Sequence, residues 1–205
     1  MAAHLALLCL QADGRLTPSR SAGQAVRAGG LVDLVLAGRL VEEADAVDLL
    51  PGPEAGPVAE GLVAEVDADP GRPLADLVER GRTGLAEAAG ELVGRGLWVA
   101  RASLLPWRPD RYRPADPSSS RSALAPAVAV PTGGADPAPE RAATAVLATV
   151  AGLVDGRFAE ADERLLAACG PAEWVTRMAA EVITVSRRWH DSLGTTTIAD
   201  LGTPW

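Results

Sequence analysis

The spacing of apolar residues along the chain predicts a mainly helical protein. Apolar side chains recur every three or four residues in several segments, which is the period of a helix with one buried face. Besides one helix treated next, the predicted helices cover residues 58–67, about 74–94, 138–154, 158–168 and 171–189. Residues 4–19 predict a short helix, an Asp13–Gly14 turn and a brief extended piece.

One predicted helix, over residues 21–37, carries an arginine and a pair of glycines inside an otherwise apolar run. Ser19 or Ser21 can cap its start, and Gly38 can end it in the left-handed conformation. A glycine inside a helix costs about 1 kcal/mol relative to alanine. The glycines at 29 and 30 therefore indicate that another backbone packs very close to this helix.

The pattern changes after Gly96. The segment LWVARASLLPW, residues 97–107, has β-prone pieces around residues 100–103, and we predict a β-hairpin there. Residues 39–43 predict a short strand. Residues 108–122 are predicted as a loop that leads into a short helix at about 118–125, and residues 131–140 as a linker.

The last predicted helix has an apolar stripe at helical spacing, which is far more typical of a core-facing side than of a cofactor site. The stripe consists of Trp174, Met178, Val182, Val185 and Trp189. We expect the tail, residues 191–205, to be loosely held. The length of 205 residues suits one domain, so residues 1–205 are treated as a single unit.

Charge is unevenly distributed in this acidic chain. The net charge of −8 argues against a nucleic-acid-binding protein, which needs a basic surface. Residues 42–79 hold eleven acids and one base, whereas residues 80–121 hold eight arginines and four acids. This asymmetry is compatible with a basic face that meets an anionic surface, or with solvated charges that only cluster in sequence.

The cysteines and the apolar runs indicate the cellular compartment in which the protein is expected. Cys9 and Cys169 are too few and too isolated for a disulfide framework, so we expect reduced, buried thiols in a cytoplasmic protein. The N-terminus lacks the basic region of a signal peptide. The longest uncharged apolar run, residues 142–154, is shorter than the roughly 20 residues that span a bilayer.

No residues with the spacing of a catalytic or metal site stand out. The sequence has no phosphate-binding glycine loop and no nucleophile elbow, and its histidines, His4 and His190, lie near the two ends. Two histidines and two scattered cysteines make a zinc site improbable. We therefore expect a protein that is not an enzyme, with no catalytic residues, no metal and no cofactor.

Four motifs in order then suggest a family. The segments HLALLCLQADGRLTPS, AVRAGGLVDLVLAGRLV, ELVGRGLW and RPDRYRPADP resemble the Golgi phosphoprotein 3 family, including its short actinobacterial members. The resemblance covers most of residues 3–190 and is strongest at residues 25–41. It implies a four-helix core ringed by amphipathic helices, with one protruding β-hairpin.

The resemblance also implies a function. Eukaryotic members bind the headgroup of phosphatidylinositol 4-phosphate in a shallow basic pocket and act as peripheral membrane adaptors that retain glycosyltransferases. One pocket arginine matches Arg27, and another corresponds to Arg82, with Arg80 as its neighbour. A further arginine of the family falls on Leu85, and the pocket tryptophan falls near Pro18. We thus expect an anionic phospholipid as partner, at the inner face of the cell membrane, and protein clients.

The hairpin supplies an alternative. It carries Trp98, Arg101, Leu104, Leu105 and Trp107. These residues would contact a membrane or a second copy of the chain, or the two tryptophans would pack against the domain. The alternative function is a cytosolic scaffold that self-associates through the hairpin, as some family members do, without binding lipid.

Overall fold

The fold is that of a computed structural model, which describes residues 1–43, 46–102, 110–116, 137–154 and 163–195. Its helices are α1 (Ala2–Leu8), α2 (Arg20–Leu36), α3 (Pro57–Ala68), α4 (Leu74–Arg80), α5 (Leu85–Gly94), α6 (Pro139–Val150), α7 (Glu163–Ala168) and α8 (Glu173–Thr195), with a 3₁₀ turn at Gly170–Ala172. The strands form two antiparallel pairs, β1 (Leu40–Glu43) with β2 (Ala46–Leu49), and β3 (Trp98–Arg101) with β4 (Arg111–Pro114). The prediction of a mainly helical single domain with a β-hairpin is confirmed. The predicted helix at 118–125 lies outside the described residues.

Helix α2 is the centre of the fold, because α1, α3, α6 and α8 all pack against it. Its ends are those that the sequence predicted. The Ser19 side chain accepts a hydrogen bond from the N–H of Ala22 at 3.3 Å, and Gly38 ends the helix with a φ of +68°. The side chains of Val26, Leu31 and Val32 are completely buried. The helix thus contributes most of its surface to one continuous core.

The paired glycines of α2 allow two other helices to come very close. A Cβ atom on Gly29 would lie 3.0 Å from the Cα of Ala2 in α1, and one on Gly30 would lie 2.8 Å from Cγ1 of Val58 in α3. Both distances are too short for carbon atoms in contact. The prediction that these glycines mark a close backbone approach is confirmed.

We predict that Gly29→Ala lowers the free energy of unfolding although alanine is the better helix former. The gain in helix propensity is about 1 kcal/mol, but overpacking against the α1 backbone costs about 1–3 kcal/mol. Gly90→Ala is the matched control, since Gly90 lies in α5 and no atom of the described residues is within 4 Å of an added Cβ. That variant is expected to gain about 1 kcal/mol. Urea denaturation measures both, and a stabilised Gly29→Ala variant would contradict the close approach.

The helix predicted over residues 74–94 is wrong as a single element, because it is broken into α4 and α5. The intervening residues 81–84 are not helical, and Gly81 has an extended backbone with φ of −57° and ψ of 148°. The apolar spacing continues across the break, which is why the periodicity gave no sign of it. The two glycines at its ends, Gly81 and Gly84, permit a chain path that packs closely on α2 and α3.

The predicted β-hairpin spans more residues than the segment 97–107 in which it was predicted. Strand β3 pairs Trp98 with Pro114 and Arg101 with Arg111, so its partner lies within residues 108–122, which are predicted to form a loop. That segment is rich in polar side chains, so the apolar pattern did not predict a strand there. The arginines of the strand are exposed. Strand β4 is also tied to the N-terminal turn, since the N–H of Tyr112 donates to the carbonyl of Gly14 at 2.7 Å. The predicted strand at 39–43 is confirmed as β1, and its partner β2 was not predicted.

The apolar stripe predicted to face the core in the last helix is only partly buried. The buried face of α8 is formed instead by smaller residues, among them Val175, Ala179 and Ile183. Small side chains fit there because α8 lies close to α2, α4 and α6. The bulkier stripe is turned to the side, where Val185 and Trp189 are 66% and 64% exposed. The helix continues to Thr195, and residues 196–205 of the predicted tail lie outside the described residues.

Candidate functional site

Arg27 reaches from the middle of α2 to the end of α4. Its Nε donates to the carbonyl of Val78 at 2.8 Å, and its Nη2 donates to the carbonyl of Glu79 at 3.3 Å. The last carbonyls of a helix have no partner within the helix, and a cation near them also meets the negative end of the helix dipole. The guanidinium of Arg27 therefore caps α4 at the point where the chain leaves the helix.

Glycines surround this guanidinium. Cβ atoms added to Gly23 and Gly84 would each lie 3.5 Å from Nη1, and one added to Gly81 would lie 2.8 Å from Cδ. Arg27 is consequently half-buried between α2 and the link between α4 and α5, residues 81–84. Burial lowers the pKa of Arg27, and the nearby Arg20 and Arg72 act in the same direction while Glu65 opposes them. The guanidinium keeps its charge, as arginine does in proteins.

Glu65 of α3 holds the other side of the link. Its Oε1 accepts from the N–H of Thr83 at 2.8 Å and from the N–H of Arg82 at 3.0 Å, and its Oε2 accepts from Nη1 of Arg72 at 3.3 Å. Burial alone would raise the pKa of Glu65, but the hydrogen bonds from Thr83 and Arg82 and the charge of Arg72 hold it below its ordinary value. One carboxylate thus satisfies the backbone donors of the link, as one guanidinium satisfies the acceptors of α4.

Arg82 and Arg80 lie next to the hydrogen bonds that Arg27 and Glu65 make with α4 and with the link. Arg82 lies in the link between two glycines that touch Arg27, and its side chain is exposed and makes no ion pair among the described residues. Arg80 is exposed at the end of α4 and pairs with Asp76 at 2.7 Å. The two segments that carry the predicted arginines are therefore in contact, although they are 55 residues apart in the chain.

The local charge is close to balanced. Five arginines lie on or beside the link, at positions 20, 27, 72, 80 and 82, together with the carboxylates at 65, 76, 79 and 87. Arg20 is paired with Glu79 at 3.1 Å, and Glu87 accepts from the N–H of Gly84 at 2.6 Å. Arg20, Arg80 and Arg82 are all exposed, but Arg20 and Arg80 are paired with carboxylates, whereas Arg82 makes no ion pair among the described residues. Any anion binding here is consequently of modest strength.

Two family positions are occupied differently in this chain. Leu85 begins α5 and packs its half-buried side chain against the core, where the resemblance places an arginine. Pro18 is exposed just before α2, where the resemblance places a tryptophan. The side chains that could grip a headgroup from these two directions are therefore absent.

The hairpin residues divide into two groups. The indole of Trp98 is 1% exposed and packs with the ring of Tyr112 at a centroid distance of 5.4 Å, so it is a core residue and offers no surface to a membrane or a second chain. Packing was one of the two alternatives for this tryptophan, and the structure shows that one. Arg101 is exposed. Leu104, Leu105 and Trp107 lie outside the described residues.

Sequence reasoning missed Glu65, although a signal was present. Residues 58, 62 and 65 fall on one face of α3, and the first two are apolar and buried. An acid at the third, core-facing position requires a partner for its charge. The identity of that partner, the backbone of residues 82 and 83, follows only from the fold.

The comparison with known families shows to which family the chain belongs. A family model described as Golgi phosphoprotein 3 (GPP34) matches residues 1–185. The chain belongs to the Golgi phosphoprotein 3 family. No curated protein and no solved structure matches it.

The match extends over the whole candidate site of this Golgi phosphoprotein 3 family member, from α2 to the α4–α5 link, and over the β3–β4 hairpin. Within the described ranges, every helix is too short or too polar to cross a membrane.

We predict that Glu65→Gln lowers the free energy of unfolding by about 1–3 kcal/mol at neutral pH, because a neutral amide accepts more weakly from Arg72 and the link. The pKa of Glu65 is depressed in the folded state. Its contribution is therefore present above its ordinary pKa of 4.5 and is lost as the pH falls through the folded value. The difference between wild type and variant should shrink as urea titrations move from pH 7 to pH 3.

Glu181→Gln on the exposed side of α8 is the matched control for this titration. Its effect on stability should be small, because substitutions of exposed side chains change stability little. A Glu65→Gln effect that stays constant down to pH 3 would mean that the charge of this carboxylate does not hold the link.

Proposed function

We propose that this protein is a non-enzymatic peripheral membrane adaptor that binds an anionic phospholipid headgroup through Arg82, Arg80 and Arg27. The headgroup is of the phosphoinositide kind, as the family relationship suggests. The protein acts in the cytoplasm at the inner face of the membrane, as a single domain over residues 1–205, and recruits client proteins there.

One observation carries the proposal. Arg27 fixes the end of α4, and the link that follows leaves the side chain of Arg82 exposed, two residues after the exposed Arg80. A guanidinium offers a planar fork of donors that fits phosphate oxygens. In this arrangement Arg82 grips the phosphate, Arg80 contributes charge when it leaves Asp76, and Arg27 forms the rigid wall of the site.

The expected strength follows from the number of accessible cations. An arginine close to an anionic leaflet contributes about 1 kcal/mol. At this site Arg80 is paired with Asp76, and Arg82 makes no ion pair among the described residues, so binding is weak and salt-sensitive. Stable attachment therefore requires a further contact with the membrane or several protein molecules acting together.

We predict that Arg82→Ala weakens binding to vesicles that contain phosphatidylinositol 4-phosphate by about fivefold, the equivalent of about 1 kcal/mol. Liposome flotation at low salt measures it. Arg141→Ala is the matched control, because Arg141 is an exposed arginine at the start of α6 and lies away from the link. Equal recovery of the wild type on neutral and anionic vesicles at low salt would remove the lipid proposal.

Exposure of Val99 favours a second candidate function, a scaffold that self-associates through the β3–β4 hairpin. This β3 side chain is 42% exposed, next to the exposed Ala100 and Arg101. An exposed apolar strand is a ready surface for pairing with another chain.

Replacement of residues 102–110 by Asn-Gly, combined with Val99→Thr, tests this second candidate, because Val99 is the exposed apolar side chain on which it rests. Arg101 and Arg111 are directly paired, so a two-residue turn can close the hairpin and leave the core tryptophan in place. If the scaffold function is correct, the variant should have a lower molar mass in light scattering than the wild type. An unchanged mass would exclude self-association through Val99 and residues 102–110.

A further inference from the structure

The C-terminal half of α8 presents an apolar surface that the fold leaves uncovered among the described residues. Val185 and Trp189 are four residues apart, so they lie on the same side of the helix one turn from each other. Their exposed fractions of 66% and 64% exceed those of the other exposed large apolar residues described, Val47, Leu50 and Val99. A soluble domain rarely leaves a tryptophan and a neighbouring aliphatic side chain in water without a use for them.

Charges of both signs lie near this pair. Arg187 and Arg188 lie between Val185 and Trp189, whereas the exposed Glu181 lies one turn before Val185 and Asp191 follows Trp189 by two residues. Arg187 is tied to the fold, because its Nη1 donates to the carbonyl of Val150 at 2.5 Å. Arg188 is exposed. A tryptophan with a neighbouring exposed arginine, here Arg188, is typical of a helix that lies in the interface of an anionic membrane, where the ring sits among the headgroups.

The direction of α8 brings this surface to the same end of the molecule as the arginine site. The side-chain amide of Gln24, near the start of α2, donates to Ser186 at 3.2 Å. The 3₁₀ turn before α8 also packs on α2, and it lies about 22 Å from Ser186 along the helix. Only the C-terminal part of α2 is that far from Gln24, so the two helices are antiparallel. Trp189 is therefore level with Arg20, the first residue of α2, which pairs with Glu79 of α4.

The opposite side of α8 is the one that faces α6. Arg187 contacts the end of α6, and Trp189 points about 160° away from Arg187 around the helix axis at 100° per residue. Helix α4 also packs on α8 and on α2. The apolar pair is thus turned away from α6, at the end of the core where α4 meets α2.

We infer that Val185 and Trp189 insert shallowly into the headgroup region of an anionic leaflet while Arg188 contacts lipid phosphates. This inference rests on the proposed function, since it names a second membrane contact beside the Arg82 site. It supplies the additional contact that the small number of accessible arginines requires. The partner is the lipid surface itself, and recognition depends on negative charge and an accessible interface rather than on one headgroup.

Flotation with phosphatidylcholine vesicles that contain phosphatidylserine tests the inference. We expect Trp189→Ser to weaken binding about tenfold, the effect of losing roughly one large apolar contact. Val47→Ser is the matched control, because Val47 is an exposed apolar residue on β2, which pairs with the strand that follows the opposite end of α2. Equal binding of wild type and Trp189→Ser would overturn the inference while leaving the headgroup site intact. Failure of the wild type to float on any anionic vesicle would overturn the proposed function as well.

A fluorescent label gives a readout that a folding defect would not imitate. Trp189→Cys, labelled with an environment-sensitive thiol reagent, should show a blue shift on anionic vesicles, and labelled Val47→Cys should not. Native Cys9 and Cys169 are completely buried and should not react in the folded protein. A blue shift that grows with protein concentration in the absence of lipid would identify a second copy of the chain as the occupant and overturn the membrane assignment.

Discussion

The capping of α4 by Arg27 is the interaction on which the arrangement of the site depends. A guanidinium half-buried among glycines loses hydration, and it recovers hydrogen bonds from the carbonyls of Val78 and Glu79. These are the acceptors that the break in the helix leaves without partners. Glu65 does the same for the donors on the far side of the break. The opposite charges of Arg27 and Glu65 thus stabilise a link that hydrophobic spacing alone would have continued as helix.

This geometry separates two tasks that the family resemblance combines in one set of arginines. A guanidinium already bonded to two carbonyls through Nε and Nη2 has fewer donors left for a ligand, whereas the exposed Arg82 side chain makes no ion pair with any residue that the structure describes. In the proposed function, Arg27 is chiefly a positioning residue and Arg82 the phosphate ligand. The replacement of the neighbouring family arginine by Leu85 leaves the chain more dependent on contacts elsewhere, such as those of α8.

The parts of the fold that sequence predicted well are those with local causes. The start and end of α2 follow from a serine cap and a glycine with positive φ, and the close helix contacts follow from two adjacent glycines. The break after α4 could not be predicted in this way, because the groups that stabilise it come from α2 and α3. The strand β4 was not predicted for a related reason: its residues pair with residues 10 to 16 positions earlier in the chain, from 101 with 111 to 98 with 114.

The candidate site was predictable only in outline. The motif around Arg27 indicated a site, and the structure brings the link that carries Arg82 against it. The partners that set the local charge, Glu65 and Arg72, were not predicted, since a charged side chain on a half-apolar helix can pair with many neighbours in sequence. The direction of α8 and the exposure of Trp189 depend on which of two apolar faces packs better against α2. That choice is decided by side-chain volume in three dimensions, and both faces have the same period in sequence.

In the proposed orientation, the positions of the acids relative to the two ends of α2 explain how a chain of net charge −8 can approach an anionic leaflet. The helix is about 25 Å long, and physiological salt screens a charge beyond about 8 Å. The exposed acids Glu42 and Asp48 of the β1–β2 pair follow the far end of α2, so a leaflet at its near end is screened from them. Asp67 and Asp69 follow Glu65 on the near side and reduce the local attraction. Net charge alone therefore does not determine the orientation of the molecule. In the proposed orientation the exposed guanidinium groups of Arg82 and Arg188 face the leaflet, and apolar contact by α8 has to hold the molecule there.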